Sequence, residues 1–210
     1  MEEAQKQLII GLTGPIAAGK NRAGDILSSL GCSVVDADTL VHQAIEKVKP
    51  RILEYFLPLA EKEGISILKA DGTIDRRGLG KLVFANKTNL AKQESFVHPA
   101  VDLLMEEFIQ ENYPSPAVLN ATVLYKSTLI SRCDFIIFVT APLVIRYKRV
   151  RSRDNLPRKE IIKRFLAQRK IFSKYKKLNV DIYKVDNSGN PEKLQVQIEE
   201  IFQFYLGSKG

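Results

Sequence analysis

Gln7-Leu8-Ile9-Ile10-Gly11-Leu12-Thr13-Gly14-Pro15-Ile16-Ala17-Ala18-Gly19-Lys20-Asn21 is the stretch that decides the fold. It opens as a short apolar run with β-branched members, which reads as a buried strand. Residues 14–19 follow as a tight loop of small residues. A helix is then predicted over residues 20–30, with Ile26, Leu27 and Leu30 on one face and Gly31 as its stop. The order is strand, loop, helix. Residues 14–20 fit G-x-x-x-x-G-K at that junction. Small residues let successive backbone N–H groups surround phosphate oxygens, the helix N-terminus favours negative charge, and the lysine reaches the terminal phosphates. In an arbitrary loop this spacing would carry little weight; between a strand and a helix it is a specific signal. The position after the lysine usually supplies a hydroxyl to Mg²⁺, and here it is Asn21. An amide oxygen can still coordinate a hard cation or hold a water on it.

Outward from this stretch, residues 32–35 make a second strand and Asp36-Ala37-Asp38 leads into a helical pattern through Val41, Ala44, Ile45 and Val48. Strand, helix and strand at these lengths form the repeating unit of a parallel sheet. Asp36 and Asp38 fall at the carboxyl edge, where open α/β sheets place their ligands. One could act as a base toward a substrate hydroxyl and the other as a metal or hydrogen-bond anchor. The plainer alternative makes Asp38 the N-cap of the helix.

Residues 50–113 carry helical patterns without a convincing strand, through Ile52, Leu53 and Phe56, then Leu79, Leu82 and Val83, then Phe96 to Ile109. They read as a helical insertion. Strands resume at 117–120 and 135–139, with a weaker one at 183–185 and an amphipathic helix at 191–206. The expected fold is α/β, a three-layer P-loop arrangement around a parallel five-stranded sheet. Residues 1–49, 114–145 and 179–210 would form the nucleotide-binding core, 50–113 the helical insertion, and 146–178 a basic lid.

The chain has 210 residues, 45% hydrophobic and 27% charged, which excludes disorder and suits one large domain with an insertion. Its two cysteines, Cys32 and Cys133, form neither a disulfide framework nor a thiolate metal cage, so a reduced, cytoplasmic setting is expected. The apolar run in MEEAQKQLII is too short for a signal peptide, and no apolar stretch approaches the roughly 20 residues of a membrane helix.

A net charge of +8 suits nucleic acid, a membrane surface or a polyphosphate equally well. Its location is more telling. Residues 142–177 hold fourteen Lys or Arg against Asp154 and Glu160, a local +12 that leaves −4 on the rest of the chain. Arg146, Arg149 and Arg153 recur at helical spacing, and Arg164 and Gln168 follow at i and i+4. A merely solvated face would mix both signs. An arginine-rich arm closing over polyphosphate would use these charges on the transferring and leaving groups. His98, before Pro99 in an apolar helix, reads as a structural residue. His42 reads as a solvated or phosphate-facing helix residue, and neither histidine has a second soft ligand nearby.

Six motifs in order carry a family resemblance: GLTGPIAAGK, VVDAD with His42 four residues after the second Asp, DGTIDRRGLGKLVF, QESFVHPAV, RSRDNLPRKEIIKRFLAQ and VDNSG. The chain resembles dephospho-coenzyme A kinase over about residues 8–202. That resemblance implies ATP-dependent phosphorylation of the ribose 3′-hydroxyl of dephospho-CoA, with Mg²⁺. It places Gly14, Ala17, Ala18, Gly19, Lys20, Asn21 and Arg22 on the ATP phosphates, with Thr13 just before them on the substrate side. Asp38 would be the base, with Lys20 and Arg149 also catalytic, and Asp36 and Asn21 would hold the metal. His42, Asp75, Arg76 and His98, followed by Pro99, would bind the CoA substrate. Arg149, Arg153, Arg164 and Gln168 would belong to the lid, and Asn187-Ser188-Gly189 would approach the adenine of ATP. No nucleic acid, no membrane, and a monomer or small homo-oligomer are expected.

The chain departs from the family after its third strand, where Asp-x-Pro-Leu-Leu-Phe-Glu becomes Asn120-Ala121-Thr122-Val123-Leu124-Tyr125-Lys126. Three rival readings remain: a nucleoside or nucleoside-monophosphate kinase, a weakly active or non-catalytic nucleotide binder, and a basic nucleic-acid-binding module. The last would need aromatics interleaved with the basic run, whereas Tyr147, Phe165, Phe172 and Tyr175 are spaced as a core face.

Overall fold

A computed structural model of the chain describes residues 6–154 and 156–207. Five parallel strands form the sheet: β1 (Ile9–Thr13), β2 (Ser33–Asp36), β3 (Ala117–Asn120), β4 (Phe135–Thr140) and β5 (Asp181–Asp186), in the order β2-β3-β1-β4-β5. The connections run to one side of β1 and then to the other. β1 therefore stands at the switch point where such sheets leave a ligand crevice beyond their carboxyl ends. All residues of β1 and β3 are buried, as expected of strands covered on both faces.

Helices α1 (Lys20–Ser29) and α9 (Pro191–Gly207) pack on one face of the sheet. Ile10, Leu12, Leu27, Phe135, Ile137, Leu194, Ile198 and Phe202 make the centre of that layer. On the other face, Leu124, Cys133 and Ile136 crowd Gly11 so closely that a Cβ there would strike Leu124. The expected α/β sheet is thus present, with β5 longer than the weak stretch read from sequence.

Two compact units divide the chain: Met1–Asp36 with Phe108–Gly210, and Ala37–Glu107. The second holds α2 (Ala37–Lys47), α3 (Lys49–Lys62), α4 (Arg76–Val83) and most of α5 (Lys87–Glu111). The sequence boundary at residue 50 gives way to one at Asp36. The reason is that α2 fastens to its own unit: Glu46 accepts from the Ile74 N–H at 3.0 Å, and Lys47 pairs with Glu107 at 3.1 Å. The basic segment, expected as a separate lid, belongs to the sheet unit as α6 (Leu143–Asp154), α7 (Arg158–Ala167) and α8 (Ile171–Tyr175). Asn155 of the RSRDNLPRKE motif lies outside the described residues. Among the described residues, no helix is long and apolar enough to cross a membrane.

Candidate active site

Gly14 leaves β1 with φ 151°, and a Cβ there would fall onto the Val139 carbonyl oxygen, so the loop turns away hard against β4. Ala17 has φ 58°, a left-handed conformation uncommon without glycine and concentrated at functional sites. Gly19, φ 102°, begins α1 without any side-chain cap, leaving the N–H groups of the first turn for an anion. Lys20 Nζ lies 3.5 Å from the Gly14 carbonyl oxygen, folded over the loop.

The outer edge of this loop is fastened by side chains remote in sequence. Arg146 Nε donates to the Ile16 carbonyl at 2.8 Å, Arg149 Nη1 donates to those of Ala17 and Ala18 at 3.3 and 3.2 Å, and Asn187 Nδ2 donates to Ala18 at 2.8 Å. Gln168 Oε1 accepts from the Ile16 N–H at 2.6 Å. In a trans peptide the N–H points opposite its C=O. With three consecutive carbonyls held outward, the N–H groups of Ala17 and Gly19 are turned away from these anchors, while that of Ala18 bonds to the Pro15 carbonyl. Arg146 is buried, with its guanidinium 4.6 Å from the Phe165 ring centroid, and desolvation lowers its pKa from the usual arginine value.

Thr13, expected on the substrate side, is instead fully buried. Its Oγ1 is 2.7 Å from the Tyr175 hydroxyl, which also donates to the Thr122 carbonyl at 3.1 Å and accepts from the Tyr125 N–H at 3.3 Å. Those bonds commit the Thr13 side chain to packing beneath the loop, which corrects the sequence expectation. Asn187 likewise commits its side chain to the loop. Its side chain is 2% exposed and turned to Ala18, its Oδ1 has no partner among the described residues, and its N–H bonds to the Thr140 carbonyl.

Asn21 and Arg22 lie exposed on the first turn of α1. Asp36 ends β2 in register with Asn120, whose Oδ1 is buried without a hydrogen-bond partner among the described residues. Asp38 is exposed in the first turn of α2, one residue inside the helix, so it is not the N-cap. In the helical unit, His42, Asp75 and Arg76 come together around one cavity of about 570 Å³. Asp75 caps α4 by accepting from the Arg77 N–H at 2.9 Å. His98 does not line that cavity; it sits half-buried on α5 with Glu94 3.9 Å away, followed by Pro99 within the same helix. In the basic segment, Arg153 pairs with Asp154 at 2.6 Å, and Arg164 adds to the attraction that holds the Asp154 carboxyl below its usual pKa.

Sequence reasoning missed the anchoring work of Arg146, which it grouped with the other lid arginines. The available signal was the i, i+3 spacing of Arg146 and Arg149, which puts both on one face of α6. It also missed Tyr175, hidden as an ordinary core aromatic.

The dephospho-CoA kinase family model matches residues 8–192. The chain belongs to the dephospho-CoA kinase family. It is 36% identical to a dephospho-CoA kinase of Treponema denticola over 89% of this chain and 85% of that one, and 33% identical to one of Bacillus licheniformis over 92% and 94%. A crystal structure of TT1252 from Thermus thermophilus superposes with a TM-score of 0.77 at 29% identity, covering 94% of this chain and 97% of that chain. A dephospho-CoA kinase from Campylobacter jejuni gives a TM-score of 0.62 at 25% identity, with coverages of 95% and 97%. A shikimate kinase from Acinetobacter baumannii, at 11% identity and a TM-score of 0.51, shares the fold.

Proposed function

We propose that this member of the dephospho-CoA kinase family transfers the γ-phosphoryl group of ATP to the ribose 3′-hydroxyl of dephospho-CoA, giving CoA and ADP. The observation that supports the reading is the loop at the end of β1, whose carbonyls are fastened by remote side chains, whose lysine folds over it and whose helix has no side-chain cap. Asp38 accepts the proton of the attacking 3′-hydroxyl. Lys20 and the exposed Arg153 and Arg164 neutralise charge on the transferring and leaving phosphates. Arg149 spends its donors on the Ala17, Ala18 and Asn187 carbonyls, which favours a role in shaping the loop.

The donor set suits Mg²⁺, a hard cation that takes oxygen ligands and usually keeps phosphates and waters among them. The buried, unpartnered Asn120 Oδ1 beside Asp36 leaves an oxygen acceptor at the strand ends. Asp36 and Asn21 would hold the ion together with the nucleotide phosphates. When bound it neutralises charge on the β- and γ-phosphates.

Incubation with ATP, Mg²⁺ and dephospho-CoA should yield CoA by mass spectrometry, whereas AMP, CMP and adenosine should be poor acceptors. Asp38→Asn should lower kcat by about 10²–10⁴ with an unchanged melting temperature. Absence of CoA overturns the function; a wild-type rate in Asp38→Asn overturns the assigned base.

A further inference from the structure

Phe84 follows the last turn of α4 and is 77% exposed, the most exposed large apolar side chain among the described residues. One edge of its ring leans toward Gly80, where an added Cβ would lie 3.8 Å from two ring carbons. Phe84 also lines the 570 Å³ cavity, whose polar lining is His42, Lys69, Arg76, Arg77, Gln93 and the helix-capping Asp75. An isolated exposed phenylalanine is ordinary on a protein surface. One placed in a cavity with three permanent cations, and an amide besides, forms a specific chemical surface: an aromatic platform for a planar base and positive charge for phosphate.

The position of this cavity says which part of a ligand it would receive. His42 is one turn beyond Asp38 on α2, and residues so spaced are neighbours, about 6 Å apart at Cβ. Resting on the reading that Asp38 deprotonates a ribose 3′-hydroxyl, the same ribose carries adenine on C1′ and the diphosphate on C5′. Both groups must lie within a sugar's width of Asp38. We infer that Phe84 stacks on the adenine of the acceptor substrate, with Lys69, Arg76 and Arg77 facing its diphosphate. This makes Phe84 a specificity-determining residue for the acceptor and leaves the donor nucleotide to the loop after β1.

Phe84→Ala should raise KM for dephospho-CoA about tenfold while KM for ATP and kcat stay within twofold, and Phe84→Trp should restore the low KM. The melting temperature should be unchanged, because the ring is solvent-exposed. Calorimetric titration of dephospho-CoA into wild type and Phe84→Ala tests the contact independently of turnover. Equal affinity for the two proteins, or a raised KM that Phe84→Trp fails to repair, overturns the inference. A wild-type protein that binds dephospho-CoA through Phe84 yet never phosphorylates it overturns only the functional reading beneath.

Discussion

Arg149 and Asn187 meet on one acceptor: the Ala18 carbonyl oxygen takes Nη1 of the first at 3.2 Å and Nδ2 of the second at 2.8 Å. They are also joined directly, since Arg149 Nη2 donates to the Asn187 carbonyl at 2.9 Å. One side chain comes from α6 and the other from the turn after β5, so the phosphate loop is tied to two elements that follow it by more than a hundred residues.

Arg149→Lys should weaken nucleotide binding although it keeps the charge. A lysine ammonium cannot reproduce the planar fork that reaches three carbonyls at once. KM for ATP should rise several-fold while the affinity for dephospho-CoA holds. Steady-state kinetics in both substrates checks this, and an unchanged KM for ATP would show that Arg146, Gln168 and Asn187 hold the loop without Arg149.

Gly19→Ala should damage the site through shape alone. A Cβ at Gly19 would fall onto Asn187 Nδ2, and φ 102° is strained for any other residue. The cost is on the order of 1–3 kcal/mol, or about 2–4 °C of melting temperature per kcal/mol for a chain of this size. A melting curve and an ATP titration on the same preparation read both effects.

Tyr175→Phe keeps the buried ring against Phe138 but leaves the Thr13 hydroxyl and the Tyr125 N–H each one partner short. A loss of about 1–3 kcal/mol is expected from such unmade bonds. Chemical denaturation of the two proteins should show a lower midpoint with an unchanged slope.

Alkaline pH should destabilise the fold through its buried thiols and one buried phenol. Burial pushes the Cys32 and Cys133 thiols from 9.0 up to about 12, and the Tyr175 phenol from 10.0 up to about 12. Unfolding frees these groups to ionise at their ordinary values. Between about pH 9 and pH 12 the unfolded chain therefore binds fewer protons than the folded one, and stability falls as pH rises. It is fully present below pH 9. Cys133→Ala should flatten the decline in melting temperature over that window; an equal slope would argue against thiol burial as its cause.

The strands, the main helices and the phosphate loop were legible because local pattern encodes them. The apolar run at residues 8–12, the small residues at 14–19 and the 3.6-residue periodicity of the insertion are each properties of neighbours in sequence. What escaped was contact across long separations. Nothing in the stretch around Thr13 announces that its hydroxyl is taken by Tyr175, and nothing around Gln168 announces the Ile16 N–H. Charge misled for a related reason. The basic run reads as one surface, yet Arg146 is buried on a carbonyl, Arg149 is half-buried on three, and Arg153 is paired with Asp154. The unit boundary moved because the periodicity of α2 shows that it is a helix but not which unit its apolar face packs on.

The outward-fastened carbonyls have a thermodynamic consequence. A glycine- and alanine-rich loop left to itself would sample many backbone states and lose that freedom only when phosphate arrives. Here four side chains from the second half of the chain impose the receptive shape in advance, so the ordering entropy is lost during folding rather than during nucleotide capture. Substitutions at Arg146 or Asn187 should then present as affinity defects for a ligand those side chains need never touch.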